Sequence, residues 1–308
     1  MWYTTRMAST HDSIFAWLDS MRGTRMIKIL SGIRGVGKSR LLGEWRTRLL
    51  ESGVPEERII YIDAEEPVLR HLVTGEQVIA YLKTQIPQEG DSFLFIDEPS
   101  SFPDYENGFG EMLRMSGIDI YVSISSRRLL TGGLSSYLRG VVRVREIMPP
   151  PKGIRETDER SRARWNEIIL RDVLSDPHIT SASLAEAIAS YLSDSVGDPI
   201  SLRSIAAAVS PPGKLISPNT ADAYLTALCN AHIVEKCMRW NAELEEVQKT
   251  GYRVFFTDPA LRRARFGFAP VDEDARVAMN RRWLEARSKT RRVLLPEQVD
   301  YDSPFIRA

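Results

Sequence analysis

A short, mostly apolar run, Met26-Ile27-Lys28-Ile29-Leu30, leads directly into Gly32-Ile33-Arg34-Gly35-Val36-Gly37-Lys38-Ser39, which fits the pattern G-x-x-x-x-G-K-[ST]. Strand, glycine loop, then helix is the local order of a phosphate-binding loop, and it requires a sheet to carry the strand. Side chains at the glycine positions would hold the backbone N–H groups away from a polyphosphate, while the following helix turns its positive end toward the same point. Residues Gly32, Ile33, Arg34, Gly35, Val36, Gly37, Lys38, Ser39 and Arg40 are therefore the expected nucleotide-binding set. Within it, Lys38 would reach the β and γ phosphates and Ser39 would hold Mg²⁺ through its hydroxyl.

The rest of the first half alternates strands with helices. Helices are expected over Ser13 to Ser20, Ser39 to Leu50 and Val78 to Gln85, and strands over 58–63, 92–98, 118–124 and 141–146. This alternation predicts a mostly parallel α/β sheet in a domain covering residues 1–148. The run Met148-Pro149-Pro150-Pro151 opens an expected linker with a connecting helix, 149–183. Helices over 184–193, 201–209 and 218–232 follow, then two strand-like pieces at 233–240 and 252–256. That order is the order of a winged helix-turn-helix domain, here 184–270, with a basic tail over 271–308.

The strand 92–98 ends in Asp97 and Glu98, about sixty residues after the loop. Mg²⁺ on a nucleotide wants a carboxylate there, the role expected of Asp97, and Glu98 on the other side of the strand end would take a proton from an attacking water. The strand 118–124 runs into Ser125-Ser126-Arg127-Arg128, and Ser126 is the hydroxyl expected to contact the γ-phosphate. Arg139 and Arg143 are the candidates for an arginine finger, with Arg139 carried forward as catalytic.

The strings GIRGVGKSRLL, YIDAEEP, LFIDEPS, IYVSISSRRLL, PISLRSIAAAV, ISPNTADAYLTAL and FFTDPALRRARFGF resemble, over roughly residues 6 to 270, a family of bacterial and archaeal AAA-type ATPases. Its members join a P-loop domain to a C-terminal winged helix, often with a restriction-nuclease-like region after it. The resemblance implies ATP rather than GTP, Mg²⁺, and an ATPase that couples nucleotide state to the arrangement of the winged helix. Ser126 stands where such ATPases usually carry a sensor asparagine, and Gly140-Val141 where a Gly-Arg is usual. Asp272 to Ala308 is too short for a complete nuclease and carries no spaced acid cluster, so no nuclease activity is expected. Two other readings stay open: a nucleotide-gated binding or scaffold protein with little hydrolysis, and a DNA-binding regulator that uses the basic tail.

Bulk properties narrow the partners. The chain has 308 residues and a formal net charge of zero, so no global field recommends nucleic acid or an anionic membrane. On the expected reading helix, Asn219, Asp222, Ala223, Thr226 and Asn230 face outward without a cation, and Glu243, Glu245 and Glu246 give the ribbon the wrong sign for a DNA backbone. Lys236, Arg239, Lys249 and the arginines after 261 soften this without making nucleic acid the favoured partner. A homo-oligomer and a protein partner on the winged helix remain open. Cys229 and Cys237 lack metal-ligand spacing and read as core residues of a cytoplasmic protein, and no apolar run reaches membrane-spanning length.

Overall fold

A computed structural model describes residues 2–24, 26–72, 74–87, 90–102, 117–131, 141–241, 246–267 and 275–289. They fall into two compact units, one built from Met1–Ser31 and Gly37–Ile147, the other from Gly32–Val36 and Met148–Arg292.

In the first unit five strands, β1 (Ile27–Ser31), β2 (Ile59–Asp63), β3 (Ser92–Asp97), β4 (Ile118–Ile124) and β5 (Val142–Glu146), form one sheet in the order β2-β3-β4-β1-β5. Every pairing is parallel. A parallel sheet covered on both faces needs strands apolar on both sides. β1 is buried at all five positions, although one of them is Lys28. That lysine is held by Asp119 and by the carbonyl of Thr24, at 2.9 Å. Burial draws its pKa below the usual lysine value despite the acid beside it.

Helices α1 (Trp2–Ser20), α2 (Lys38–Glu51) and α3 (Gly75–Gln85) belong to this unit, with a single helical turn α4 (Arg128–Thr131) after β4. α3 starts three residues before the expected Val78. Thr74 and Gln77 close a capping box whose two hydrogen bonds are each 3.2 Å, which holds the extra turn in helical geometry. α2 buries Leu41, Leu42, Trp45 and Leu49. Trp45 leans on Tyr121 at 6.1 Å between ring centroids, the near end of a ladder of rings. Tyr61, Phe95 and Tyr121 lie at one register position on β2, β3 and β4. They stack in a row at 6.0 and 5.0 Å, with interplanar angles of 18° and 14°.

The second unit is helical, with one antiparallel ribbon. α5 (Asp158–Ile168) passes into a π-helical turn over Ile169–Val173, then α6 (Ala182–Asp194), α7 (Leu202–Val209), α8 (Pro218–Asn230), β6 (Val234–Asn241), β7 (Glu246–Phe256), α9 (Pro259–Phe266) and α10 (Ala275–Lys289). Serine or threonine hydroxyls cap four of these helices: Thr157, Ser181, Ser201 and Ser217. Four features differ from expectation, the first being that β7 begins at Glu246, six residues before the expected start. The segment 149–183 contributes Trp165, Ile168 and Val173 to the unit's core, each fully buried. The chain is packed just after its proline run: a side chain at Gly153, where φ is +87°, would meet Ala260 Cβ at 2.4 Å. α9 and α10 stand where no helix was expected, and α10 gives the first part of the basic tail a buried face. Its Trp283 stacks on Phe255 at 5.0 Å, and Asn280 bridges both backbone groups of Phe256. From residue 290 on, the tail lies outside the described residues, as do Arg139, Glu243 and Glu245.

Candidate functional site

Ligands of open α/β sheets bind beyond the carboxyl ends of the strands, and within the first unit Lys38 at the start of α2, the acids Asp97 and Glu98 at the end of β3, and Ser123 and Ser125 at the end of β4 gather at that edge. Gly37 caps α2 with φ at +101°, a conformation that a side chain would strain although nothing else stands within 4 Å. Gly35 has φ at +83°, and a Cβ there would lie 2.5 Å from the Arg164 side chain. The turn into the helix therefore depends on glycine at both positions.

Lys38, the first residue of α2, is 4% exposed. Its ammonium donates to Ser125 Oγ at 2.9 Å and lies 3.3 Å from Glu98 Oε1. Glu98 in turn accepts the backbone N–H of Ser125 on Oε2 at 2.9 Å and the Ser125 hydroxyl on Oε1. Its backbone is left-handed, with φ at +51°, although it is neither glycine nor asparagine. That twist has a geometric consequence. Strand alternation would send the side chains of Asp97 and Glu98 to opposite sides, the arrangement expected from the sequence. Instead both carboxylates meet hydroxyls from one stretch of chain, Ser123 near the end of β4 and Ser125 just past it.

Asp97 is 5% exposed and accepts from Ser123 on Oδ1 and from Tyr61 on Oδ2, at 3.2 Å. The Ser39 hydroxyl also bonds to it. Burial pushes its pKa above the usual carboxylate value; the Ser123 and Ser39 hydroxyls oppose the shift, and the negative charges of Glu98 and Asp63 add to it. A buried acid joined to a hydroxyl at the mouth of a phosphate loop is an oxygen-only donor set, which suits Mg²⁺ better than a softer ion.

The remaining expected site residues are placed elsewhere. The Ser126 hydroxyl accepts the N–H of Arg128 at 3.3 Å, whereas Ser125 is the serine that meets Lys38. Arg40 is directed to solvent, where it pairs with Glu44 at 2.6 Å. Arg34 is bound through two nitrogens by Asp172, at 3.0 and 2.9 Å, and Ile33 is buried in the second unit's core. Arg143 donates to its neighbour's carbonyl, Val142 O, at 2.9 Å. Tyr61 lies within YIDAEEP, and Ser123 and Ser125 within IYVSISSRRLL, but nothing in those strings marks the three as partners of the acids. A signal was there: a serine within a buried strand and another just past its end carry hydroxyls that must find partners.

Among known proteins, residues 24–151 match the AAA_14 family of AAA domains, and residues 151–272 match a family described only as a domain of unknown function. A Haemophilus influenzae protein described as uncharacterized is 23% identical, covering 81% of this chain and 72% of that one. Two solved structures are similar at a distance. The Thermotoga maritima RuvB Holliday junction branch migration motor is 16% identical with a TM-score of 0.37, covering 85% of this chain and 95% of that one. A structure of Drosophila ORC bound to AT-rich DNA and Cdc6 is 15% identical with a TM-score of 0.35, covering 84% and 91%. Likenesses this slight carry no argument about function.

Proposed function

Residues 24–151 match an AAA domain whose five-stranded parallel sheet fits an α/β P-loop NTPase fold, and from that premise we propose that the protein is a Mg²⁺-dependent ATPase. The observation that carries the proposal is the joining of Lys38, Ser125 and Glu98 in one hydrogen-bonded group beside the Ser39–Asp97 pair. Ser39 and Asp97 would hold the metal, which when bound neutralises charge on the phosphates. Lys38 would exchange its present partners for the β and γ phosphates, and Glu98, still accepting from Ser125, is the carboxylate placed to take a proton from water. The loop residues Gly32 to Ser39 cradle the polyphosphate. Arg40, placed in solvent, takes no part through its side chain.

We read the three helices and ribbon over 182–256 as a winged helix whose arrangement responds to the nucleotide, and a protein partner or a second copy of the chain is the intended listener. Asp222, on the outward side of α8, is 3.9 Å from Lys236, which occupies one of the few cations available to a DNA backbone. That supports a protein partner over nucleic acid.

One observation favours a second reading, a clamp that binds nucleotide and turns it over slowly. Both Glu98 oxygens already accept hydrogen bonds from Ser125. Phosphate release and nucleotide binding, measured together, separate the two. Glu98→Gln is expected to keep binding while losing turnover by about 10²–10⁴-fold, and Lys38→Ala to lose binding. Ser125→Ala should slow turnover, whereas Ser126→Ala should leave it unchanged. Equal turnover in wild type and Glu98→Gln rejects hydrolysis and leaves the clamp.

A further inference from the structure

Asp97 is gripped from both sides by neutral hydroxyls, and the grip is built into the sheet. Its register partners are Asp63 on β2 and Ser123 on β4. Ser123 donates directly across to Oδ1. Tyr61 stands one side-chain step back on β2, opposite Phe95, and its ring is fixed by stacking there. Held in that place, its hydroxyl extends toward the carboxyl end of the sheet and reaches Asp97 Oδ2 at 3.2 Å. Tyr121, in the same row of rings, sends its hydroxyl the opposite way, to Asp119 at 2.7 Å. The row thus contains two tyrosines, and only Tyr61 faces the nucleotide edge.

We infer that Tyr61 and Ser123 are positioning residues for the metal carboxylate, together fixing the rotation of Asp97 so that it presents its charge to a divalent cation at Ser39. The inference rests on the reading of Asp97 and Ser39 as the metal site. Hydroxyl donors suit this task. A lysine or arginine in either place would orient the carboxylate equally well but would cancel the charge that attracts the cation. Two hydroxyls orient it and leave its charge available. Outer partners of this kind are worth about 10–100-fold in metal affinity in characterised sites.

The test uses the full chain with Mn²⁺ as the probe, a non-hydrolysable ATP analogue, and electron paramagnetic resonance to count free metal. Tyr61→Phe keeps the ring and its stack on Phe95, so it removes the hydroxyl alone; Ser123→Ala tests the opposite grip. Each is expected to weaken Mn²⁺ binding in the ternary complex by about tenfold or more, while affinity for the analogue in chelator stays at the wild-type value. A residue acting only through fold stability would lower both together. Wild-type Mn²⁺ affinity in both variants overturns the assignment and leaves the metal site standing. Absence of Mn²⁺ binding in wild type overturns the site and the assignment with it.

Discussion

At the scale of single residues, the acid of Asp97 carries a cost that nucleotide binding would relieve. Its carboxyl, ordinarily near 3.8, is raised by burial in the fold. An unfolded chain therefore gives up this proton at lower pH than the folded one. Stability is lost as pH climbs from about the ordinary value through the raised one. Asparagine has the same shape and no charge, and the three surrounding hydroxyls can turn to accept from its amide. Asp97→Asn is thus expected to raise the thermal midpoint of the metal-free protein at pH 7. The advantage should shrink as pH falls toward about 4, in paired melts across that range. A midpoint difference that does not change with pH would mean that charge is not its source.

At the scale of elements, the helix caps differ in what else they hold. Ser201 closes a capping box and little more, so Ser201→Ala should cost about 1 kcal/mol. Asp258 caps α9 with Oδ1, which also accepts the N–H of Ile154 at 3.2 Å, and with Oδ2 it takes the buried guanidinium of Arg164 at 2.6 Å. Removing it strands a charge that is 7% exposed, and the loss should approach about 3 kcal/mol, the low end for a broken buried pair because Glu156 still holds Arg164. Urea unfolding of the two alanine variants compares them directly. Elements of this kind are unequally legible in the sequence. The strands of the parallel sheet can be read nearly to the residue, mostly because a short apolar run with polar ends is too short for a buried helix and fits a buried strand, whereas β7 begins at Glu246, six residues before the expected 252. α9 carries its marks too, with Asp258 and Pro259 at its start and a left-handed Gly267 at its end, but eight residues offer little periodicity to notice. The π turn after α5 leaves no mark of its own, because Ile168, Ile169 and Val173 fit an ordinary helical spacing equally well. The acid pair and the loop are visible as motifs. Their partners Tyr61, Ser123 and Ser125 are not, because strand register is decided by tertiary pairing.

At the scale of the molecule, a ligand that binds only the folded chain must stabilise it by mass action, by about 2.7 kcal/mol at a hundred times its dissociation constant. Mg²⁺ with a non-hydrolysable ATP analogue is therefore expected to raise the unfolding midpoint of wild type by several degrees. Chelator should reduce the shift, and Lys38→Ala should abolish it. A shift that survives in Lys38→Ala would move nucleotide binding away from the loop.

The sheet order also sets a timetable for synthesis. β1 is bonded only to β4 and β5, and the nearer of these begins at residue 118, whereas β1 ends at residue 31. On a ribosome making about 5–20 residues per second, the strand buried at all five positions in the fold waits on the order of ten seconds for its first neighbour. Through that interval β2 and β3 can already pair, while Ile27–Ser31 has an open edge on both sides and is the natural place for a chaperone to hold.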